Sequence, residues 1–267
     1  MPMRALRLPF AALCALPFAV AAQSVTLTPA ADTTLYENSG SESNGVGAWL
    51  FVGRTAQPGT PRRRALLRFD LAAIPPDAVV QSVSLRLNMS RTIVGDVPVR
   101  LHRAIGAWGE GTSDASAQEG VGAPATPGDA TWTQRVYPAT AWTAVGGDFV
   151  ATPSASLTVG ALTGPYTFAS TAALVADVQG WVANPTGNAG WLLQVDENLP
   201  GPSAKRFNSR QNTTAGTLPE LTVTYVAGAG PPPVDVAGIP TLRPIGLALL
   251  VLSLLGFAAA RFARRRA

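Results

Sequence analysis

Apolar and polar positions alternate through much of the middle of the chain. In "SVSLRLNMS", Val83, Leu85, Leu87 and Met89 fall on one face, with Ser84, Arg86 and Asn88 on the other. "VPVRLHRA" repeats the pattern, setting Val97, Val99 and Leu101 against Pro98, Arg100 and His102. A period of two predicts strands buried on one side only. Shorter apolar runs ("WLFVG", "ALLRFDL", "SLTVG", "YTFAS", "WLLQV", "LTVTYV") are separated by Gly, Pro and Asn clusters, which are turn formers. Many short strands over residues 23–226 predict an all-β domain, a two-sheet antiparallel β-sandwich of jelly-roll-like form.

One segment has a different period. "STAALVADVQGWVAN" brings Leu174, Val175, Val178, Trp181 and Val182 to helical spacing, with Ser170 or Thr171 available as N-cap. It predicts a short amphipathic helix, with Trp181 and the strand residue Trp191 in the core. The stretch Gly106–Asp148 is rich in Gly, Ala, Pro and Thr but carries Trp108, Trp132 and Trp142. It predicts a packed loop excursion rather than a free linker.

The two ends change the picture. "MPMRALRLPFAALCALPFAVAAQS" has Arg4 and Arg7 before an apolar run and small residues after it. This predicts a signal peptide over residues 1–22. Residues 227–238 read as a Pro/Gly linker. Residues 244–262 read as a short transmembrane helix, and the basic tail with Arg264, Arg265 and Arg266 would lie in the cytoplasm. The expected orientation places the domain outside the cytoplasm, in the periplasm or at the cell surface.

Charge and cysteine usage narrow the function. Of 20 basic and 16 acidic residues, seven basic and one acidic lie in the terminal stretches, which leaves 13 against 15 in the middle. A net-acidic domain argues against nucleic acid as partner, since phosphate neutralisation needs a basic surface. The one cysteine, Cys14, lies within the expected signal peptide, so disulfides and thiolate chemistry are not expected in the mature domain. Its stability is expected to rest on its core.

Five stretches come in the order of a known family. They are "ADTTLYENSGSESNGVGAWLFVG", "RRALLRFDLAAIPPDAVVQSVSLRL", "ATWTQRVYPATAW", "LVADVQGWVANPTGNAGWLLQ" and "AKRFNSRQNTTAGTLPELTVTY". Together they resemble a DNRLRE-type domain, similar to the alginate-binding carbohydrate-binding modules. "RFNSRQ" stands near the position of the motif that names the family and departs from it. The resemblance implies a jelly roll that binds polysaccharide, and a structural Ca²⁺ for which Asp32 and Asn44 match the pattern. The same loop residues are also ordinary turn formers. At the C-terminus, "IPTL" at Ile239, Pro240, Thr241 and Leu242, followed by an apolar run and arginines, resembles the IPTL-CTERM sorting signal. That resemblance implies a Gram-negative envelope protein, open to a processing protease.

Little points to catalysis. His102 is the only histidine and, in the outward register of its strand, reads as a solvated residue. Asp196 and Glu197 are the only adjacent carboxylates, and no spacing is diagnostic of a hydrolase or lyase. Binding is the stronger expectation. A hairpin turning at "RTIVGD" would set Arg86 opposite Arg100, with His102 nearby, and Arg62, Arg63 and Arg64 from a neighbouring loop could extend the cationic surface. Such a face suits an acidic polysaccharide. Trp108, Trp132 and Trp142 could stack on sugar rings or belong to the scaffold. The alternatives are a structural or adhesive protein with a protein or matrix partner and, more weakly, a polysaccharide lyase or hydrolase.

Overall fold

The computed structural model describes residues 21–228. The expected signal peptide up to residue 20, most of the linker, the IPTL motif and the apolar and basic tail lie outside the described residues. Among the described residues, no helix is long and apolar enough to cross a membrane.

The strands are β1 (Ala22–Leu27), β2 (Pro29–Tyr36), β3 (Glu42–Ser43), β4 (Trp49–Arg54), β5 (Arg62–Phe69), β6 (Val79–Thr92), β7 (Val97–Arg103) and β8 (Ala123–Pro124). There follow β9 (Gln134–Val136), β10 (Thr140–Ala141), β11 (Ala155–Val159), β12 (Gly164–Phe168), helix α1 (Ala172–Ala183), β13 (Trp191–Val195), β14 (Lys205–Asn208) and β15 (Glu220–Val226). All pairings are antiparallel and form two layers. In sheet I, β6 is flanked on one side by β15 and then β14 and on the other by β12, with β1 beyond β15 and β4 beyond β14. Sheet II runs β3–β2–β5–β13–β7–β11, with β8 beyond β3. β9 and β10 form a separate ribbon.

Successive strands change sheet: β5, β6 and β7 lie in II, I and II, and β11 to β14 alternate in the same way. This is the β-sandwich of jelly-roll-like form that the alternation predicts. One pairing differs from the expected one. β6 and β7 are not a hairpin, because the segment between them crosses from one sheet to the other. Leu87 and Val99 do both point inward, but from opposite layers. The sheets join at one corner, where β4 leaves β14 and pairs with β5 at Gly53 and Arg54. Gly53 has φ +92, and a Cβ there would lie 2.6 Å from the Ser203 carbonyl oxygen, so the corner requires glycine.

The main core lies between the sheets. Val83, Leu85, Leu87 and Met89 of β6 face Val97, Val99 and Leu101 of β7, and Trp191, Leu193 and Val195 of β13 join them. The helix forms where its period predicts. Thr171 caps it, its hydroxyl accepting from the Leu174 N–H at 3.0 Å, and Leu174, Val178, Trp181 and Val182 enter the same core. Trp181 meets Trp191 edge to face at 4.7 Å between centroids, an arrangement that adds to their area burial. Trp181→Ala is expected to cost about 3–5 kcal/mol and Thr171→Ala about 1 kcal/mol, read from urea denaturation midpoints. Equal losses for the two would contradict this packing.

Candidate functional site

The outer face of sheet II is a second core. Leu35 of β2, Leu66 of β5, Leu192 of β13 and Ala104 pack against Trp108, Trp132 and Trp142 of the excursion. The three tryptophans are therefore buried rather than offered to a sugar. Their indoles are committed inward: Trp108 Nε1 donates to the Ala189 carbonyl at 2.8 Å, and Trp142 Nε1 to that of Thr131 at 2.8 Å. Arg62 and Arg64 lie over the Trp132 ring, their guanidinium carbons 4.9 and 4.8 Å from its centroid. Both also bind Glu197, at 2.9 and 2.7 Å. Burial raises the Glu197 pKa, but bonds from Arg64 and Arg62 outweigh it and hold the carboxylate below its ordinary range.

Arg62, Arg63 and Arg64 thus open strand β5 and are not in a loop. Arg63 points the other way and is fully buried. It stacks on Tyr36 at 4.7 Å and its Nη2 donates to the Gly120 carbonyl at 2.9 Å. Burial pulls its pKa down to about 10.

Arg86 and Arg100 do not share a surface. Arg86 lies on sheet I opposite Glu220, with which it pairs at 2.9 Å. Arg100 lies on sheet II and pairs with Asp196 at 2.9 Å. His102 keeps its outward register but is 3% exposed, because the end of the excursion covers it. Its ring meets Phe149 edge to face, Nδ1 lies 2.9 Å from the Val150 carbonyl, and burial lowers its pKa.

Asp32 and Asn44 are both buried and bonded to protein donors. Asp32 Oδ2 accepts from the Arg210 N–H at 2.8 Å, while Asn44 Oδ1 accepts from Ala115 N–H at 2.9 Å and its Nδ2 donates to Glu119 at 2.7 Å. Arg210 also forks onto Glu110, at 2.7 and 2.6 Å. "RFNSRQ" therefore ties the last strands to the excursion. Among the described residues, no group of three or more His, Cys, Asp or Glu converges as a metal site.

Sheet I is different. At its β4–β14–β6 end lies an open groove of about 360 Å³, lined among others by Phe51, Gln57, Arg91, Ile93, Gln118 and Arg206. Across the three strands Phe51 stands opposite Arg206, and Arg206 opposite Arg91. The register shifts between Arg206 and Phe207, so that Ser90 and Arg91 of β6 together oppose Arg206. Counted in twos from the buried Met89, Arg91 would point into the core. The bulge turns it out, as bulges do, and Arg91 is exposed.

Arg206 lies over the Trp49 ring, 4.0 Å from its centroid, and its Nε donates to Ser90 Oγ at 3.0 Å. Nη1 of Arg91 and Nη1 of Arg206 both donate to Gln118 Oε1, at 3.0 and 2.8 Å. Burial lowers the Arg206 pKa and the neighbouring Arg91 lowers it further, with Glu119 opposing them.

Among the described residues, neither arginine has a carboxylate within ion-pair distance. Other cations without one are committed elsewhere. Arg54, Arg63, Arg135 and Lys205 donate to backbone carbonyls, and Arg68 lies over Trp108. Arg91 and Arg206 were not among the residues singled out from sequence. Strict alternation sends Arg91 inward, and the strand pairing that opposes it to Arg206 is non-local.

Two outcomes are expected from these environments. Burial pushes the Asp32 pKa up to about 7 from 3.8. The folded state then binds more protons than the unfolded state between these values, so the Asp32 contribution is full below about pH 4 and lost by about pH 7. Asp32→Asn should therefore gain on the wild type as pH rises through this window, by up to an order of 4 kcal/mol in urea denaturation. A constant difference would contradict the buried carboxyl. Arg63→Ala should cost roughly 2–4 kcal/mol, since it leaves the Gly120 carbonyl without its charged donor. Hydrogen exchange should rise first at residues 116–122.

No protein-family model matches the chain and no curated protein matches it.

Proposed function

We propose that this is an exported, membrane-anchored bacterial surface protein of the DNRLRE type, whose sandwich binds acidic polysaccharide in the groove of sheet I. The observation that carries the reading is the facing pair Arg91 and Arg206, with no carboxylate partner among the described residues. Like charges opposite one another on adjacent strands repel. A polymer with one carboxylate per sugar would neutralise them through charge-assisted bonds. The half-exposed Ile93 supplies an apolar wall, with the buried Phe51 showing only an edge to the groove, and Trp49 holds one guanidinium in place. That combination suits a pyranose ring bearing an acidic group: the apolar ring face rests on the wall and the acid meets the arginines. The terminal patterns of the sequence support export and anchoring, which would present the groove to extracellular or envelope polymer. The role is binding, without a catalytic step.

The test is retention of the purified protein on immobilised alginate, with a neutral glucan as control. Arg91→Ala combined with Arg206→Ala should lower alginate retention at least tenfold, since each charge-assisted bond is worth about 1.5–3 kcal/mol. Arg86→Ala with Arg100→Ala should leave it unchanged. Undiminished retention after loss of Arg91 and Arg206 would remove the groove as the site.

A further inference from the structure

The groove already holds an oxygen where its two arginines converge. Gln118 Oε1 accepts from both guanidinium groups, at 3.0 Å from Arg91 and 2.8 Å from Arg206. An amide oxygen satisfies the two donors but brings no charge to them, and neither arginine has a carboxylate within ion-pair distance among the described residues. A carboxylate at the same point would satisfy donors and charge together.

The loop that delivers Gln118 is built with care. The Ser116 carbonyl accepts from the Glu119 N–H at 3.0 Å, which closes a turn with Gln118 at its tip. Ala117 and Glu119, on either side of Gln118, have φ of 56° and 58°, a left-handed conformation that costs energy for residues with a Cβ. Strong anchors hold that conformation in place. The buried Glu119 carboxylate accepts from the Ala48 and Trp49 N–H groups, each at 3.0 Å, and from Asn44 Nδ2 at 2.7 Å. Tyr36 Oη donates to the Glu119 carbonyl at 2.9 Å, and Arg63 holds the next carbonyl from beneath. The shoulder of the loop is thus pinned to β4, one wall of the groove. The tip is not: Gln118 is exposed, and its two bonds to the arginines are the only side-chain bonds it makes among the described residues.

We propose that Gln118 is the specificity-determining gate of the groove: its amide oxygen marks the subsite for a sugar carboxylate, and a uronate enters by displacing it. This rests on the acidic-polysaccharide reading and adds to it the point at which the sugar carboxylate docks and the side chain that it must displace. A neutral hydroxyl offers the arginines nothing that the amide does not already supply, so the exchange favours only an anion.

The test is titration of the ¹⁵N-labelled protein with sodium glucuronate, and with glucose as the neutral control, for the wild type, Gln118→Ala and Gln118→Glu. Because the side chain is exposed, both variants should fold, which matched melting curves would verify. In the wild type the Gln118 side-chain NH₂ resonances should move with glucuronate and stay still with glucose. Gln118→Ala should bind glucuronate three- to tenfold more tightly. Gln118→Glu, which places its own carboxylate on the arginines, should bind at least tenfold more weakly. Equal affinities for the three proteins, or no glucuronate binding by any of them, would overturn the gate. If glucuronate behaves as expected but alginate is not retained, the polysaccharide reading fails and the gate stands. If alginate retention needs Arg91 and Arg206 but is the same for all three residues at 118, the gate alone fails.

Discussion

Seating the long excursion on sheet II is the constraint from which the surface of this protein follows. Some 50 residues leave β7 and return as β11, and an arginine–tryptophan–glutamate clamp fixes them. Arg62 and Arg64 hold Trp132 by its face and Glu197 by its carboxylate. Arg62 stays partly exposed, while Arg64 is buried and its Nη1 donates to the Gly146 carbonyl at 2.7 Å, so both guanidinium planes cover the indole and fill the layer above it. With Trp132 in place, Trp108 and Trp142 close over Leu66 and Leu192, and Phe149 closes over His102. Among the described residues, the sandwich thereby acquires a third layer on one side only. Sheet I keeps an open face, and the unpaired cations converge there.

The same cluster shows how one element can serve two faces. Successive residues of β5 point to opposite sides, so Arg62 and Arg64 clamp the excursion while Arg63 turns inward beneath the 116–122 loop. That loop belongs to the excursion too. Its shoulder rests on Arg63, Tyr36 and the start of β4, and its tip reaches the arginines of sheet I. The packing of the excursion is thus coupled to the shape of the groove through named bonds, without any need for a long-range pathway.

Local pattern revealed the elements and their buried faces. The alternation of β6 and β7, the helix with its Thr171 cap, and the burial of Trp181 and Trp191 were all legible, because each depends on neighbours within a few residues. Strand partners were not. β6 and β7 look like a hairpin in sequence, but their short connection crosses between layers, so Arg86 and Arg100 meet separate carboxylates. Exposure also misled, since an outward register means solvent only if nothing is laid over it. His102 and the three tryptophans are buried by chain that is distant in sequence. The groove was the least legible part. A bulge between β6 and β14 breaks the period at Arg91, and alternation cannot register a broken period. The one visible clue was "RFNSRQ", set apart as a motif, whose first residue is Arg206.

The proposed ligand site lies on sheet I, at two arginines that have no carboxylate within ion-pair distance among the described residues. Chemical-shift mapping with a short oligouronate, such as a trimer of mannuronate, tests it most directly. The Nε–H resonances of Arg91 and Arg206 and the indole N–H of Trp49 are expected to move saturably, while those of Arg62, Arg64, Trp108 and Trp142 stay still. Shifts centred on the clamp and the excursion, with Arg91 and Arg206 unmoved, would contradict it.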